Sequence, residues 1–142
     1  MDPEPVASVT ARVFFALWPD EAVRQELARA GKLLHGACGG RITRQENLHL
    51  TLAFLGDVQR NRLHPLRDAA ATVRAPGHVL PVERLGWFRR NRVAWAGPIR
   101  TPAETLELVD RLEAALRQAR FRFDARPFEA HITLVRKALC GE

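Results

Sequence analysis

Apolar positions along this 142-residue chain fall into two rhythms, short continuous runs and runs at helical spacing. Arg12 to Trp18 (RVFFALW) is a compact apolar run closed by Pro19, which predicts a buried strand. Pro19 suits a first helical position, and Asp20 and Glu21 suit the positive end of a helix dipole. Val23, Leu27, Ala30 and Leu34 then recur at helical spacing. This helix is expected to stop in the loop around Gly36 to Gly40. Leu48 to Leu55 predicts a second strand. Leu63, Leu66, Ala70 and Val73 predict a second helix that begins near Pro65 and fades before Pro76 and Gly77. Val79 to Phe88 and Arg92 to Gly97 read as a hairpin turning at Arg89, Arg90 and Asn91. Thr101, Pro102 and Glu104 supply the N-cap, first-turn proline and capping-box acid of a third helix, with Leu108, Leu112, Ala115 and Ala119 on its buried face. Phe128 to Val135 closes the pattern as a last strand, and residues 1 to about 10 form a loose tail.

The order of elements repeats. A strand opening Arg-Val (Arg12-Val13, Arg92-Val93) is followed by a helix begun near a proline, then by a strand carrying His-x-Thr. Arg12 to His49 spans 37 residues and Arg92 to His131 spans 39, as expected of a diverged duplication. Two such lobes within one domain, 1–142, would face each other across a pseudo-two-fold axis and bring both histidines to one central cleft.

Within His49-Leu50-Thr51-Leu52 and His131-Ile132-Thr133-Leu134, polar and apolar residues alternate, which on a strand sends His and Thr to one face and the aliphatics to the other. Polar side chains held together on such a face are costly unless they have partners or a task. A single His-x-Thr is most simply a histidine satisfied in a strand. Two with apolar neighbours, in a chain of five His and seven Thr, arise by chance about once in a thousand sequences. Two histidines with no carboxylate or thiolate at ligand spacing make a poor zinc set, so no metal and no cofactor is expected. Two symmetric His-Thr pairs describe an acid and a base better than a threonine nucleophile and its base. A phosphodiester hydrolysed without metal needs a base for water, an acid for the leaving oxygen and donors for the non-bridging oxygens. Imidazole titrates near neutrality, so two can divide the first tasks while two hydroxyls serve the third.

Charge agrees with a phosphate-bearing partner. Lys plus Arg number 22 against 16 Asp plus Glu, and only Lys32 and Lys137 are lysines. Arginine's planar fork grips phosphate oxygens well, although an arginine-rich genome would leave the same bias. Cys38 and Cys140 offer no metal-ligand spacing and at most one bridge, so a reducing compartment is expected. The acidic, proline-punctuated N-terminus and the lack of a membrane-length apolar run point to a soluble, cytoplasmic protein with no membrane partner.

At these residues the chain resembles the 2H phosphoesterase superfamily, and most closely its RNA 2′,3′-cyclic phosphodiesterases, also called 2′-5′ RNA ligases. RVFFALWPD resembles the family's first strand and turn, NLHLTLAFLGDV its first motif, RNRVAWAG its central hairpin and RPFEAHITLVRKA its second motif. The resemblance implies a bilobal, duplicated α+β fold, with two antiparallel sheets lining a cleft and helices outside. It implies hydrolysis of RNA 2′,3′-cyclic phosphate ends to a 2′-phosphate, with reversible 2′-5′ RNA ligation as a related activity. His49 and His131 would be acid and base, Thr51, Thr133 and Arg136 would hold the phosphate, and Phe54 would stack on the nucleobase. Ala130 stands where the family often has proline. Family members continue through further strands where this sequence stops eleven residues after His131, so those C-terminal strands are expected to be missing.

The remaining candidates have plainer readings. His35 complements the end of the first helix dipole, and His64 and His78 are expected at the surface. The loop of Gly36, Gly39 and Gly40 lacks the lysine and hydroxyl residue of a phosphate-cradling loop. Trp18, Trp87 and Trp95 fit core or cleft wall, while Arg89, Arg90 and Arg92 are either a solvated turn or contacts for an RNA backbone. Two functions compete with the main one. A non-catalytic RNA-binding module would not require both motifs in register. A 2H hydrolase of another small cyclic nucleotide or cyclic phosphate would, because the motifs recognise the phosphodiester and not what hangs from it.

Overall fold

A computed structural model describes residues 9–141. Among them the elements run β1 (Thr10–Leu17), α1 (Glu21–Cys38), β2 (Arg41–Ile42), β3 (Leu50–Gln59), α2 (Leu63–Ala71), β4 (Arg84–Phe88), β5 (Val93–Gly97), α3 (Ala103–Gln118) and β6 (Ile132–Arg136). The class is α+β, as expected. The strands are hydrogen-bonded in one sheet, ordered β1-β3-β6-β5-β4 with β2 added on β6, where two sheets were expected. Leu50 paired antiparallel with Ile132 is the bridge that joins β3 to β6.

Several boundaries differ from the sequence pattern for identifiable reasons. Asp20, not Pro19, begins α1: its carboxylate accepts the Val23 N–H at 2.9 Å, so the proline lies outside the helix. Glu83 donates to the Gly97 carbonyl at 2.9 Å, and upstream Pro81 has no N–H to offer a ladder, so β4 starts at Arg84 and not Val79. β6 begins at Ile132 and not at Phe128; just ahead of it the Glu129 carbonyl is bound by the His131 side chain. The buried stripe of α3 is Thr105, Val109, Leu112 and Leu116, rotated from the predicted one. Thr105 can be buried because its hydroxyl lies 2.7 Å from His78 Nε2, which makes His78 a half-buried partner of α3 and not a plain surface residue.

The chain divides into two compact units that are not its two halves. One takes the chain up to Phe15, Leu52–His78 and Ala103–Phe128; the other takes Ala16–Thr51, Val79–Pro102 and the chain from Glu129. In the first, Leu66, Val109, Leu112, Leu116 and Phe121 form an apolar core, with the Arg62 guanidinium 4.1 Å above the Phe121 ring. In the second, α1 packs on β6. Thus the helix of the first sequence repeat covers the strand that carries the second motif, and Gly31 of α1 lies close to the Leu134 carbonyl. The segment after β6 returns to α1, where Leu139 N–H donates to the Cys38 carbonyl and Cys38 is disulfide-bonded to Cys140.

Candidate active site

The site lies in the second unit, on the face of the sheet turned away from α1. Leu50, Ile132 and Leu134 are buried, while His49, Thr51, His131 and Thr133 are half-exposed, which is the segregation the alternation demands. The antiparallel register adds what sequence could not supply. Leu50 opposite Ile132 fixes a position sum of 182, so one residue to either side His49 stands across from Thr133 and Thr51 across from His131. Opposed residues of an antiparallel pair share a face at about 5 Å between Cβ atoms. The four side chains therefore form a square, with each histidine beside the other motif's threonine.

Both histidines are held in the same way. His49 Nδ1 is 2.6 Å from the Asn47 carbonyl oxygen, and His131 Nδ1 is 2.7 Å from that of Glu129, two residues upstream in each case. A carbonyl only accepts, so each Nδ1 carries a hydrogen and proton exchange is confined to Nε2. Asn47 ends a short 3-10 turn, Gln45–Asn47, which delivers that carbonyl to His49.

Aromatic rings flank each histidine. The Trp18 ring centroid is 5.0 Å from that of His49, and Phe88 meets His131 edge-on at 5.1 Å. Trp95 stands opposite Thr133 in the β5–β6 register and packs 5.1 Å from Phe88 and 6.4 Å from His131. Its indole lies across Gly86 of β4, where an added Cβ would collide with the ring, and Arg84 stacks 5.1 Å over its centroid.

Arg136 reaches the site face through a bulge. Three residues after Thr133, strict alternation would put it on the α1 side. Between Ala94–Trp95 on β5 and Thr133–Val135 on β6, however, β5 advances one residue while β6 advances two. Leu134 and Val135 are both fully buried, and the next residue, Arg136, is returned to the face of Thr133. Arg41 of β2 stands directly opposite Arg136, and both are exposed. Like charges so placed repel each other and would be relieved by an anion between them.

Phe54 belongs to the other unit, in β3, half-buried with the Arg12 guanidinium 5.3 Å from its ring centroid. Arg89, Arg90 and Arg92 are exposed on the β4–β5 turn, with Arg92 at φ 57°. The contacts of Trp18 and Phe88 with the histidines and the place of Arg41 opposite Arg136 left little signal in the sequence; only the aromatic character of the runs ending at Trp18 and Phe88 hinted at the first two. Among the described residues no three His, Cys, Asp or Glu side chains gather as a metal-ligating group, and no helix is long and apolar enough to cross a membrane.

The class that such a sheet and such strands define is a phosphoesterase. The sequence pattern of the family described as LigT-like phosphoesterase matches residues 17–95, more than half of the chain. The RNA 2′,3′-cyclic phosphodiesterase of Escherichia coli is 35% identical over 128 residues, covering 89% of this chain and 72% of the relative. Its namesake from Archaeoglobus fulgidus is 30% identical, with 88% and 72% covered. The crystal structure of E. coli LigT complexed with 3′-AMP superposes with a TM-score of 0.83 at 32% identity, over 92% of this chain and 75% of that one. The chain belongs to the LigT-like phosphoesterase family.

Proposed function

We propose that this chain hydrolyses RNA ending in a 2′,3′-cyclic phosphate to leave a 2′-phosphate, with His49 as general acid and His131 as general base. What supports this reading is the square of two histidines and two threonines, with both Nδ1 atoms tied to carbonyls, so that Nε2 is the nitrogen through which each imidazole would exchange a proton. His131 Nε2 takes a proton from water, and the water oxygen forms a bond to phosphorus opposite the 3′ oxygen. The P–O3′ bond breaks, and His49 Nε2 gives its proton to the leaving oxygen. Charge that builds on the non-bridging oxygens is met by the Thr51 and Thr133 hydroxyls and by Arg136. The family resemblance assigns Phe54 to the nucleobase.

With an RNA 5′-hydroxyl in place of water, His131 taking its proton and the P–O3′ bond breaking as before, the same groups would form a 2′-5′ phosphodiester and serve ligation. The names of the relatives support RNA cyclic phosphate ends as the substrate. The arginine excess suits a polyanion in the reducing, nucleic-acid-rich cytoplasm, where we place the protein. The test is incubation with nucleoside 2′,3′-cyclic phosphates and with short RNA ended in cyclic phosphate, in EDTA, with product phosphate position read by NMR. A 2′-phosphate from both substrates is expected. A 3′-phosphate product, or hydrolysis that stops in EDTA and returns with zinc or magnesium, would reject the mechanism. Turnover of mononucleotides alone would favour a small cyclic nucleotide as substrate.

A further inference from the structure

Several arginines of this chain are already occupied. Arg24, Arg111, Arg117 and Arg126 each reach a carboxylate, and Arg62 lies over the Phe121 ring. Arg41 and Arg136 differ from these. They stand opposite each other where β2 pairs with β6, both are exposed, and among the described residues neither guanidinium has an ion-pair partner. Ile42 lies against Gly31 of α1, so its neighbour Arg41 is turned to the opposite face, the one that carries the histidines and threonines and that Arg136 reaches through the bulge. Two like charges held opposite one another weaken the pairing of β2 unless an anion joins them.

The reacting phosphate does not use both. A 2′,3′-cyclic phosphodiester carries one negative charge, and in the reaction proposed above it already meets Arg136 and the protonated His49. The charge of Arg41 is left over, and its place says what would take it. β3 and β2 lie along the same edge of β6, since β5 occupies the other, so Arg41 is on His49's side of that strand. His49 protonates the leaving 3′ oxygen, which puts the ribose on that side too. Across the bulge, Arg136 and Arg41 stand two ladder steps beyond Thr133 and His49, about 7 Å. That is close to the spacing of successive phosphates along an RNA strand. Resting on the function proposed above, we infer that Arg41 binds the next phosphodiester, the one on the 5′ oxygen of the terminal ribose. Arg136 holds the reacting phosphate and Arg41 the one before it, so the pair makes the end of an RNA chain a better substrate than a mononucleotide. A contact to phosphate fixes register without reading the base, and the preference is for chain length and not for sequence.

The experiment uses the whole chain and two dinucleotides ended in a 2′,3′-cyclic phosphate, one joined by a phosphodiester and one by an uncharged methylphosphonate. The first ribose is 2′-O-methylated in both, so that the linkage itself cannot cyclise. In the wild type, kcat/KM is expected to be about tenfold or more higher for the charged linkage, chiefly through KM, as befits a charge-assisted hydrogen bond. Arg41→Ala should bring that ratio close to one, and Arg41→Lys, which keeps the charge without the planar fork, should hold an intermediate value. A ratio close to one in the wild type would show that no phosphate is held there, and the same high ratio in Arg41→Ala would show that another residue holds it; either result overturns the inference. A second readout does not need turnover: calorimetric binding of the matching dinucleotides ended in a 2′-phosphate. If no cyclic ester is hydrolysed but the wild type still prefers the charged linkage and Arg41→Ala does not, the proposed reaction fails while the Arg41 contact stands. Hydrolysis with equal preference in both proteins overturns the contact alone.

Discussion

His49 and His131 are alike in backbone setting and unlike in neighbours, so single substitutions can separate their tasks. Each Nδ1 is anchored on a carbonyl, so in the proposed mechanism alanine at either position removes a proton carrier while Thr51, Thr133 and Arg136 remain to hold the phosphate. Turnover is expected to fall by roughly two to four powers of ten in each case, with binding of cyclic phosphate largely kept. A substrate whose leaving group needs no proton should restore His49→Ala far more than His131→Ala; restoration of His131→Ala instead would reverse the roles. Wild-type turnover should follow a bell-shaped pH profile whose limbs belong to the coupled pair. A different residue-scale test concerns His78, which has no place in the reaction. His78→Ala strips the partner from the fully buried Thr105 hydroxyl and should cost about 1 to 3 kcal/mol in denaturant unfolding while leaving kcat unchanged. Thr105→Val in the same background should recover part of the loss, and no recovery would mean that the hydroxyl is satisfied by water.

Between residues and the whole lies the edge where β2 meets β6. Gly40, at φ 90°, lies so close to Arg136 that an added Cβ would collide with the Arg136 carbonyl oxygen. Gly40→Ala should therefore displace β2, weaken phosphate binding through Arg136 and lower stability, whereas Gly36→Ala, with open space around it and an ordinary helical place, should be silent or slightly stabilising. Equal effects of the two would show that β2 does not hold Arg136. This edge also marks what was legible in the sequence. The alternation in the two His-x-Thr strands stated which side chains share a face, because a strand's period is local. It could not state that Arg136 shares that face, since the bulge depends on Trp95 pairing with Thr133 and Ala94 with Val135, a relation between distant segments. The His-Thr square is of the same kind, as it rests on Leu50 meeting Ile132. The repeat read in the sequence suggested that each half makes its own lobe, whereas α1 packs on the second half's β6 and the two compact units each draw on both halves. Two-residue β2 carries no pattern of its own and was invisible until β6 supplied its partner.

At the scale of the molecule, the formal charge of +6 and the exposed Arg41, Arg136, Arg89, Arg90 and Arg92 predict a split in salt dependence. From low to high salt, kcat/KM for oligonucleotides should fall more steeply than for mononucleotides, because each extra phosphate contact releases a counterion. Parallel slopes would confine binding to the terminal nucleotide. The Cys38–Cys140 bond bears on the same whole, for it closes 102 residues of chain and pins the segment after β6 to the end of α1. Closing a loop of about 100 residues removes enough freedom from the unfolded chain to stabilise the fold by about 4 to 5 kcal/mol at most. The same segment is also held without the bond: Ala138 N–H donates to the Arg92 carbonyl, Trp87 Nε1–H donates to the Ala138 carbonyl at 3.0 Å, and Leu139 N–H donates to the Cys38 carbonyl. Both histidines, moreover, are held by local carbonyls that the bond does not touch. Reduction should then lower the unfolding midpoint clearly while leaving kcat at low temperature near its oxidised value. Thiol labelling before and after reductant, followed by thermal melts and kinetics of both forms, checks this. An unchanged midpoint once both thiols are shown free would mean that the hydrogen bonds alone hold the segment, and loss of kcat on reduction would mean that the bond supports β6 itself.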